Sequence, residues 1–243
     1  MSETWIILGA TSSIARALVR RLAARGAGLL LCGRDAAELD ALAADSRARG
    51  AGETAALTFD VRAPDSFSPI LDAAQRCEGP LTVAVFTGSM PDQAEIDADP
   101  ALIAPTLADS LTGPVRFLHE IAPLLAERGG SVVGVGSVAG DRGRVTNYVY
   151  GAAKAGFATY LSGLRNRLAR AGVHVMTVKP GPVDTALTWG MTLPLMTSPE
   201  AVAGDILKGL KRRRNVIYTA PVWRWVMLVI RAVPEPIFKR TSF

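Results

Sequence analysis

Thr4-Trp5-Ile6-Ile7-Leu8-Gly9-Ala10-Thr11-Ser12-Ser13-Ile14-Ala15 sets how the rest of the chain reads. Thr4–Leu8 is an apolar run of the kind that forms a buried strand, and the residues from Ser13 to Arg25 read as helix. A turn of small residues between a strand and a helix N-terminus lets backbone N–H groups approach a pyrophosphate, which the helix dipole also favours. Only Gly9 is glycine here; positions 13 and 15, where a dinucleotide turn often has glycine, hold Ser and Ala. The turn alone therefore leaves both a nucleotide cradle and an ordinary strand–helix connection open. Its candidate contacts are Gly9, Thr11, Ser12, Ser13 and Ile14.

Outward from this unit the same alternation continues. Further strands are expected at Gly28–Cys32, Ala55–Phe59, Leu81–Phe86, Ser131–Gly136 and Val173–Val178. Helices are expected over Asp35–Arg49, Pro64–Arg76, Pro105–Glu127, Asn147–Arg170 and Pro199–Arg212, the last with Ser198 as N-cap. Continuous apolar strands separated by helices imply a parallel sheet covered on both faces, an α/β fold of the Rossmann type with a doubly wound sheet. In such a sheet the ligand lies beyond the carboxyl ends of the strands. No linker or repeat divides the 243 residues, so residues 1–213 are expected to form one dinucleotide-binding and catalytic domain, with 214–243 an extension packed on it.

Composition removes several classes. Cys32 and Cys77 lack Cys-x-x-Cys spacing, and His119 and His174 lack metal-ligand spacing, which disfavours a disulfide scaffold, a structural zinc site and a zinc hydrolase. The first residues have neither a basic region nor a long apolar one, so a cytoplasmic chain is expected. Residues 208–243 hold nine Lys/Arg and one acid, while the first 207 hold 18 bases and 21 acids. The positive charge is thus a property of the C-terminal segment.

Strand two ends in Gly33-Arg34-Asp35. A carboxylate at that tip would bind the adenosine ribose and favour NAD; an arginine suits a 2′-phosphate and favours NADP(H). Asp35 is alternatively the N-cap of the next helix, with Glu38 completing a capping pattern. Strand five ends at Ser137, and thirteen residues later comes Tyr150-Gly151-Ala152-Ala153-Lys154. Residues four apart share a helical face, so the phenol and the ammonium address one pocket. A nearby cation favours phenolate and would lower the tyrosine pKa toward working pH, while a serine hydroxyl donates to a developing alkoxide. Ser137, Tyr150 and Lys154 are the candidate catalytic residues for protonating a carbonyl oxygen as hydride reaches its carbon. Tyr148 has no lysine four residues on and is expected to line the pocket.

In order and spacing, the turn at Gly9, Asp60-Val61 after strand three, Ser137, Tyr150/Lys154 and Pro180-Gly181-Pro182-Val183-Asp184-Thr185 resemble the short-chain dehydrogenase/reductase family from Thr4 to about Arg213. The resemblance implies an NADP(H)-preferring oxidoreductase acting on CH–OH/C=O. It gives Asp60 and Val61 to the adenine, Lys154 to the nicotinamide ribose, and Val183 and Thr185 to the carboxamide. It also implies a homodimer or homotetramer packed through the long helices. The chain departs from the family's pattern in three places. The turn keeps one glycine, Phe86-Thr87-Gly88-Ser89 stands for Asn-Asn-Ala-Gly with Gly88 left for cofactor approach, and Ser110 aligns with the helix asparagine of the proton relay. These departures motivate the alternative of a non-catalytic nucleotide-binding or scaffold protein.

The tail from Val216 runs through Trp223-Arg224-Trp225-Val226-Met227-Leu228-Val229-Ile230-Arg231 to Ile237-Phe238-Lys239-Arg240. Its longest apolar run, Trp225–Ile230, is far short of the roughly 20 residues that span a bilayer. A helix of this make-up suits a membrane interface, a lipid-shaped groove, or packing on the core or a subunit partner. With Asn147-Tyr148-Val149-Tyr150-Gly151, the tail resembles the decaprenylphosphoryl-2-keto-ribose reductase group of the family. That likeness implies a keto-sugar on a polyprenyl phosphate, or another lipid-linked ketone, met at the cytoplasmic face through residues 216–243. A small-molecule ketone remains the coarser expectation, and no nucleic acid is expected.

Overall fold

A computed structural model describes residues 3–190 and 193–241, so the outer ends of the expected 1–213 and 214–243 spans lie outside the described residues. Its elements run β1 (Thr4–Leu8), α1 (Ser13–Ala23), β2 (Gly28–Gly33), α2 (Ala36–Ala48), β3 (Thr54–Thr58), α3 (Ser68–Arg76), β4 (Leu81–Val85) and α4 (Gln93–Ala98). They continue with α5 (Ile103–Leu107), α6 (Gly113–Arg128), β5 (Gly130–Val135), α7 (Tyr148–Ala169), β6 (His174–Pro180), α8 (Pro199–Lys211), β7 (Val216–Thr219), α9 (Val222–Ala232) and α10 (Glu235–Phe238). The strands form one parallel sheet in the order β3-β2-β1-β4-β5-β6-β7. This is the Rossmann-type α/β fold.

Side chains alternate across each strand, and the two faces fill separately. Trp5 and Ile7 of β1 join α1, α2 and α8 residues such as Leu18, Leu39 and Ile206 in one core. Ile6 and Leu8 join α3, α6 and α7 on the other face, where Phe59 and Phe67 meet Phe117 edge-on at 5.8 and 5.4 Å. Burial on both faces is why the strands read as unbroken apolar runs.

Two elements depart from the sequence expectation. Residues 216–219 form the seventh strand, so the sheet crosses the expected boundary at 213/214 and the tail is not merely laid on a finished domain. Arg165 of α7 fastens this edge, donating to Val175 O at 2.8 Å, Thr177 Oγ1 at 3.0 Å and Asn215 O at 2.9 Å. The helix expected as one piece over Pro105–Glu127 is interrupted by a π-turn at Ala108–Thr112 between α5 and α6. Such turns insert a residue into the helical ladder and re-aim the side chains on it.

The order of the strands reverses between β1 and β4, and the chain leaves both strands at their carboxyl ends. The crevice where an open α/β sheet takes its ligand is therefore bounded by Gly9–Ile14 and by Phe86–Gly88.

Candidate active site

A cleft of about 1100 Å³ lies over these strand ends. It gathers Thr11, Ser12, Ser13, Ile14, Gly88, Ser137, Tyr150, Lys154, Val183 and Thr185 of the sequence-derived residues. Gly9, Arg34, Asp60 and Val61 lie outside its walls, and Arg34 is exposed past the tip of β2.

The turn after β1 is shaped by its one glycine. Gly9 has φ +76°, and a Cβ there would stand 3.2 Å from the backbone of Phe86 and Thr87. The β1 turn and the β4 end thus approach closely without further glycines. Ser12 caps α1 from its side chain, and Arg16 Nε donates to Thr11 O at 2.8 Å, holding the turn against the first helical residues. Asp35 caps α2, accepting from Glu38 N at 2.9 Å; the Glu38 carboxylate turns to Arg16 at 2.8 Å and completes no capping box. The Asp60 carboxylate accepts from Arg62 N at 2.9 Å, and Arg62 grips Asp109 of the π-turn at 2.6 and 2.7 Å.

Ser137 follows β5 and caps the short turn Val138–Gly140, its Oγ accepting from Ala139 N at 3.1 Å. An accepting hydroxyl keeps its own proton to donate. Tyr150 and Lys154 stand one turn apart near the start of α7, both buried, with Lys154 Nζ 5.7 Å from the tyrosine ring centre. Nζ donates to Val135 O at 3.1 Å and Thr87 O at 3.3 Å, tying α7 to the ends of β4 and β5. Gly88 lets this happen: a Cβ on it would lie 3.0 Å from Nζ and 3.2 Å from Ser110 Oγ. Ser110, fully buried on the π-turn, bonds the Ser89 backbone N–H at 3.3 Å.

Electrostatically the pair departs from expectation. Burial pushes the Tyr150 phenol up to about 12, offset in part by its hydrogen bond with Ser137, and pushes Lys154 down to about 8. Each group is driven toward its neutral form, because burial withdraws both from water. Tyr148 also departs: it is half-exposed, lies outside the cleft and donates its hydroxyl to Asp97.

The residues fit a dinucleotide. The α1 N-terminus presents first-turn amides of which Ser12 caps only that of Ala15, Gly9 and Gly88 add no Cβ at the two close approaches, and Thr87 Oγ1 is buried without a hydrogen-bond partner among the described residues.

The family model for the short chain dehydrogenase matches residues 3–193. The chain belongs to the short-chain dehydrogenase family. An uncharacterized oxidoreductase of Mycobacterium tuberculosis is 34% identical over 238 residues, covering 97% of this chain and 95% of that protein. A sulfoacetaldehyde reductase of Chromohalobacter salexigens is 34% identical over 193 residues, covering 77% and 75%. A solved short-chain dehydrogenase from Sphingobium yanoikuyae in complex with NADPH superposes with a TM-score of 0.82 at 25% identity, covering 97% of each chain. This short-chain dehydrogenase is therefore an oxidoreductase of that family.

Beyond the sequence-derived residues, the far wall of the cleft comes from Arg144, Val145 and Asn147 in the segment before α7, from Leu187, and from Trp223, Val226 and Ile230 of α9. Gly181 is a local signal of this wall, since a Cβ there would lie 2.1 Å from Trp223 Nε1. Arg142 anchors the wall: it donates to Ile230 O at 2.7 Å and to Glu235 at 2.9 Å, and lies 3.7 Å over the Phe238 ring. Asp141, nearly buried, pairs with Lys179 of β6 and accepts from Tyr218 of β7 at 2.7 Å.

Proposed function

We propose that this dehydrogenase interconverts a ketone and a secondary alcohol with NADP(H), Ser137, Tyr150 and Lys154 being its catalytic residues. The observation that carries the reading is the convergence of these three side chains on one cleft beside the β1 turn. When bound, the cofactor would supply or take up the hydride at the carbonyl carbon, and the chain's own residues handle the oxygen. Ser137 donates to the carbonyl oxygen and polarises it. Tyr150, protonated over the whole neutral range, delivers its proton to that oxygen. Lys154, poised near 8, stabilises the phenolate left behind and is itself held by Thr87 and Val135. The β1 turn from Gly9 to Ile14 would receive the pyrophosphate, Arg34 the 2′-phosphate, Asp60 and Val61 the adenine, Lys154 the nicotinamide ribose, and Val183 and Thr185 the carboxamide, with Gly88 leaving room for the cofactor's approach. The NADPH complex of the Sphingobium relative and the carbonyl chemistry in the Chromohalobacter relative's name support cofactor and reaction class.

Tyr150→Phe is expected to lower kcat by about a thousandfold, the scale of a lost general acid, with NADPH affinity retained. Unchanged turnover would overturn the reading. A wild-type protein that binds NADPH but consumes none across a broad ketone panel would instead favour the non-catalytic nucleotide-binding alternative.

A lipid-like ketone, with the keto-sugar on a polyprenyl phosphate as its finest form, is the second reading, and α9 favours it. Its inner face lines the cleft, whereas Trp225, Leu228 and Val229 on its outer face are 64%, 58% and 65% exposed beside Arg224 and Arg231. No described helix is long and apolar enough to cross a membrane. An exposed apolar face set among basic residues suits the surface of an anionic bilayer, here the cytoplasmic face. Wild-type protein is expected to float with anionic vesicles, less so in high salt, and Trp225→Ser/Leu228→Ser to stay behind. Point changes are needed because deleting 216–243 removes β7. Equal partitioning of the two proteins rules the contact out. Assembly as a dimer or tetramer through α6 and α7 belongs to the same proposal.

A further inference from the structure

The wall that closes the cleft opposite the β1 turn contains buried polar atoms that make no hydrogen bond among the described residues. Arg144 is half-buried, with its Nε buried and lacking a hydrogen-bond partner; among the described residues it makes no ion pair. A guanidinium keeps its charge at every working pH, so burying its Nε without a hydrogen bond costs free energy that an anion would recover. The acid nearest in sequence, Asp141, acts on Arg144 through its charge, but its carboxylate oxygens bond Lys179 and Tyr218. Asp92 and Asp97 stand exposed at the rim, and Asp97 already accepts from Tyr148 and Gln93.

A second buried donor belongs to the same wall, where it packs against Gly181. Trp223 is 7% exposed, lines the cleft, and its Nε1–H is buried without a partner among the described residues. The two donors belong to one assembly, because Val138 packs with Trp223 and Met227 while Arg142 holds the end of α9. Around them the cleft is apolar, with Val145, Val226 and Ile230.

We propose that Arg144 is a specificity-determining residue that receives an anionic, oxygen-rich group of the substrate, with Trp223 Nε1–H as a second donor. This rests on the ketone-reductase reading and deepens it. The substrate is then a ketone whose apolar portion carries a carboxylate, sulfonate or phosphate ester set apart from the carbonyl. Arginine meets each of these with charge-assisted, often bidentate hydrogen bonds.

The test uses the full chain saturated with NADP⁺, so that added anions do not read the cofactor's phosphate sites. Hexanoate, hexanesulfonate, hexyl phosphate and hexanol are titrated calorimetrically into wild type, Arg144→Gln, Arg144→Lys and Trp223→Phe. At least one anion is expected to bind wild type more than tenfold tighter than hexanol, and the anion that wins names the group. Arg144→Gln should erase that advantage without changing NADP⁺ affinity or melting temperature, Arg144→Lys should keep part of it, and Trp223→Phe should lose less. Hexanol binding as well as every anion, no binding by any of the four, or an Arg144→Gln protein that keeps the preference overturns the proposal. Turnover of ketone pairs with and without a terminal anion supplies the second arm, in which Arg144→Gln raises KM for the anionic member and leaves the neutral one alone. Good turnover of neutral ketones without anion preference defeats this inference and spares the reductase reading. Arginine-dependent anion binding without turnover of any ketone supports the anion site and defeats the reductase reading.

Discussion

Below β1 and β4 the cleft is walled by backbone, whereas below α9 it is walled by side chains. At the first end, Gly9 and Gly88 bring main chain and Lys154 into contact, and Thr87 and Val135 carbonyls take the ammonium. At the second, Trp223, Val226 and Ile230 reach the cleft from α9, held by an arginine 88 residues earlier in the chain. A backbone wall is specified locally, by where small residues fall at strand ends. A side-chain wall is specified by long-range packing, and it can change its occupant without disturbing the sheet. The same division separates a cofactor site shared across a family from a substrate site peculiar to one member.

The sharpest way to expose the strain at the backbone end is to remove its buried charge. Lys154 has a folded pKa of about 8 against an ordinary 10.5. Below pH 8 both folded and unfolded lysine are protonated, and the folded state bears the whole cost of burying the ammonium, on the order of 3 kcal/mol. Between pH 8 and 10.5 the unfolded chain binds more protons, so stability rises with pH and the cost disappears. Tyr150 works the other way above pH 10, because its folded pKa of about 12 lies above its ordinary 10. Lys154→Met should therefore be the more stable protein at pH 7, with the advantage shrinking toward pH 10. Urea midpoints for both proteins across pH 6–10 check this; a constant difference would mean the ammonium is not strained.

At the side-chain end the corresponding weak point is Arg142. Arg142→Ala removes donors from the last carbonyls of α9 and the ring contact with Phe238, and should destabilise by about 2 kcal/mol. Because the sheet is untouched, NADPH affinity should hold while substrate KM rises. A loss of NADPH affinity of the same size would show that the two ends are not separable.

This division also accounts for what could be read from the sequence. Strand–helix alternation, the β1 turn and the trio Ser137, Tyr150 and Lys154 depend on periodicity and short spacings, and each was legible. The strand Val216–Thr219 was not, because an edge strand of four residues, largely unburied, carries little apolar signal and sits inside a tail already rich in apolar residues. Nor was the π-turn at Ala108–Thr112, because one inserted residue shifts the helical stripe without ending the helical run on either side of it. Arg144 and Trp223 escaped for a different reason: an unpaired polar atom is recognised only once the surrounding chain is in place. The rise in the Tyr150 pKa is hidden likewise, since i,i+4 spacing reports a neighbouring charge and says nothing of burial.

The smallest effect tests the part of the backbone end that reaches beyond the cleft. Arg34 stands exposed after β2, and Asp35 beside it spends its carboxylate on the α2 N-terminus. An acid used as a cap accepts one amide and is poorly placed to take a ribose hydroxyl as well, and on this ground we propose that the arginine sets the preference. Arg16 is a second cation nearby, but its guanidinium is already divided between Thr11 O and Glu38. Arg34→Ala should thus weaken NADPH about tenfold, the scale of a charge-assisted contact screened by solvent, and leave NADH unchanged. The gap between the two cofactors should narrow further in wild type as salt is raised. Fluorescence titrations with both cofactors measure it. Equal losses for NADPH and NADH would place Arg34 in the general electrostatics of the strand ends and remove the ground for NADP preference, while an unchanged pair would pass the 2′-phosphate to Arg16.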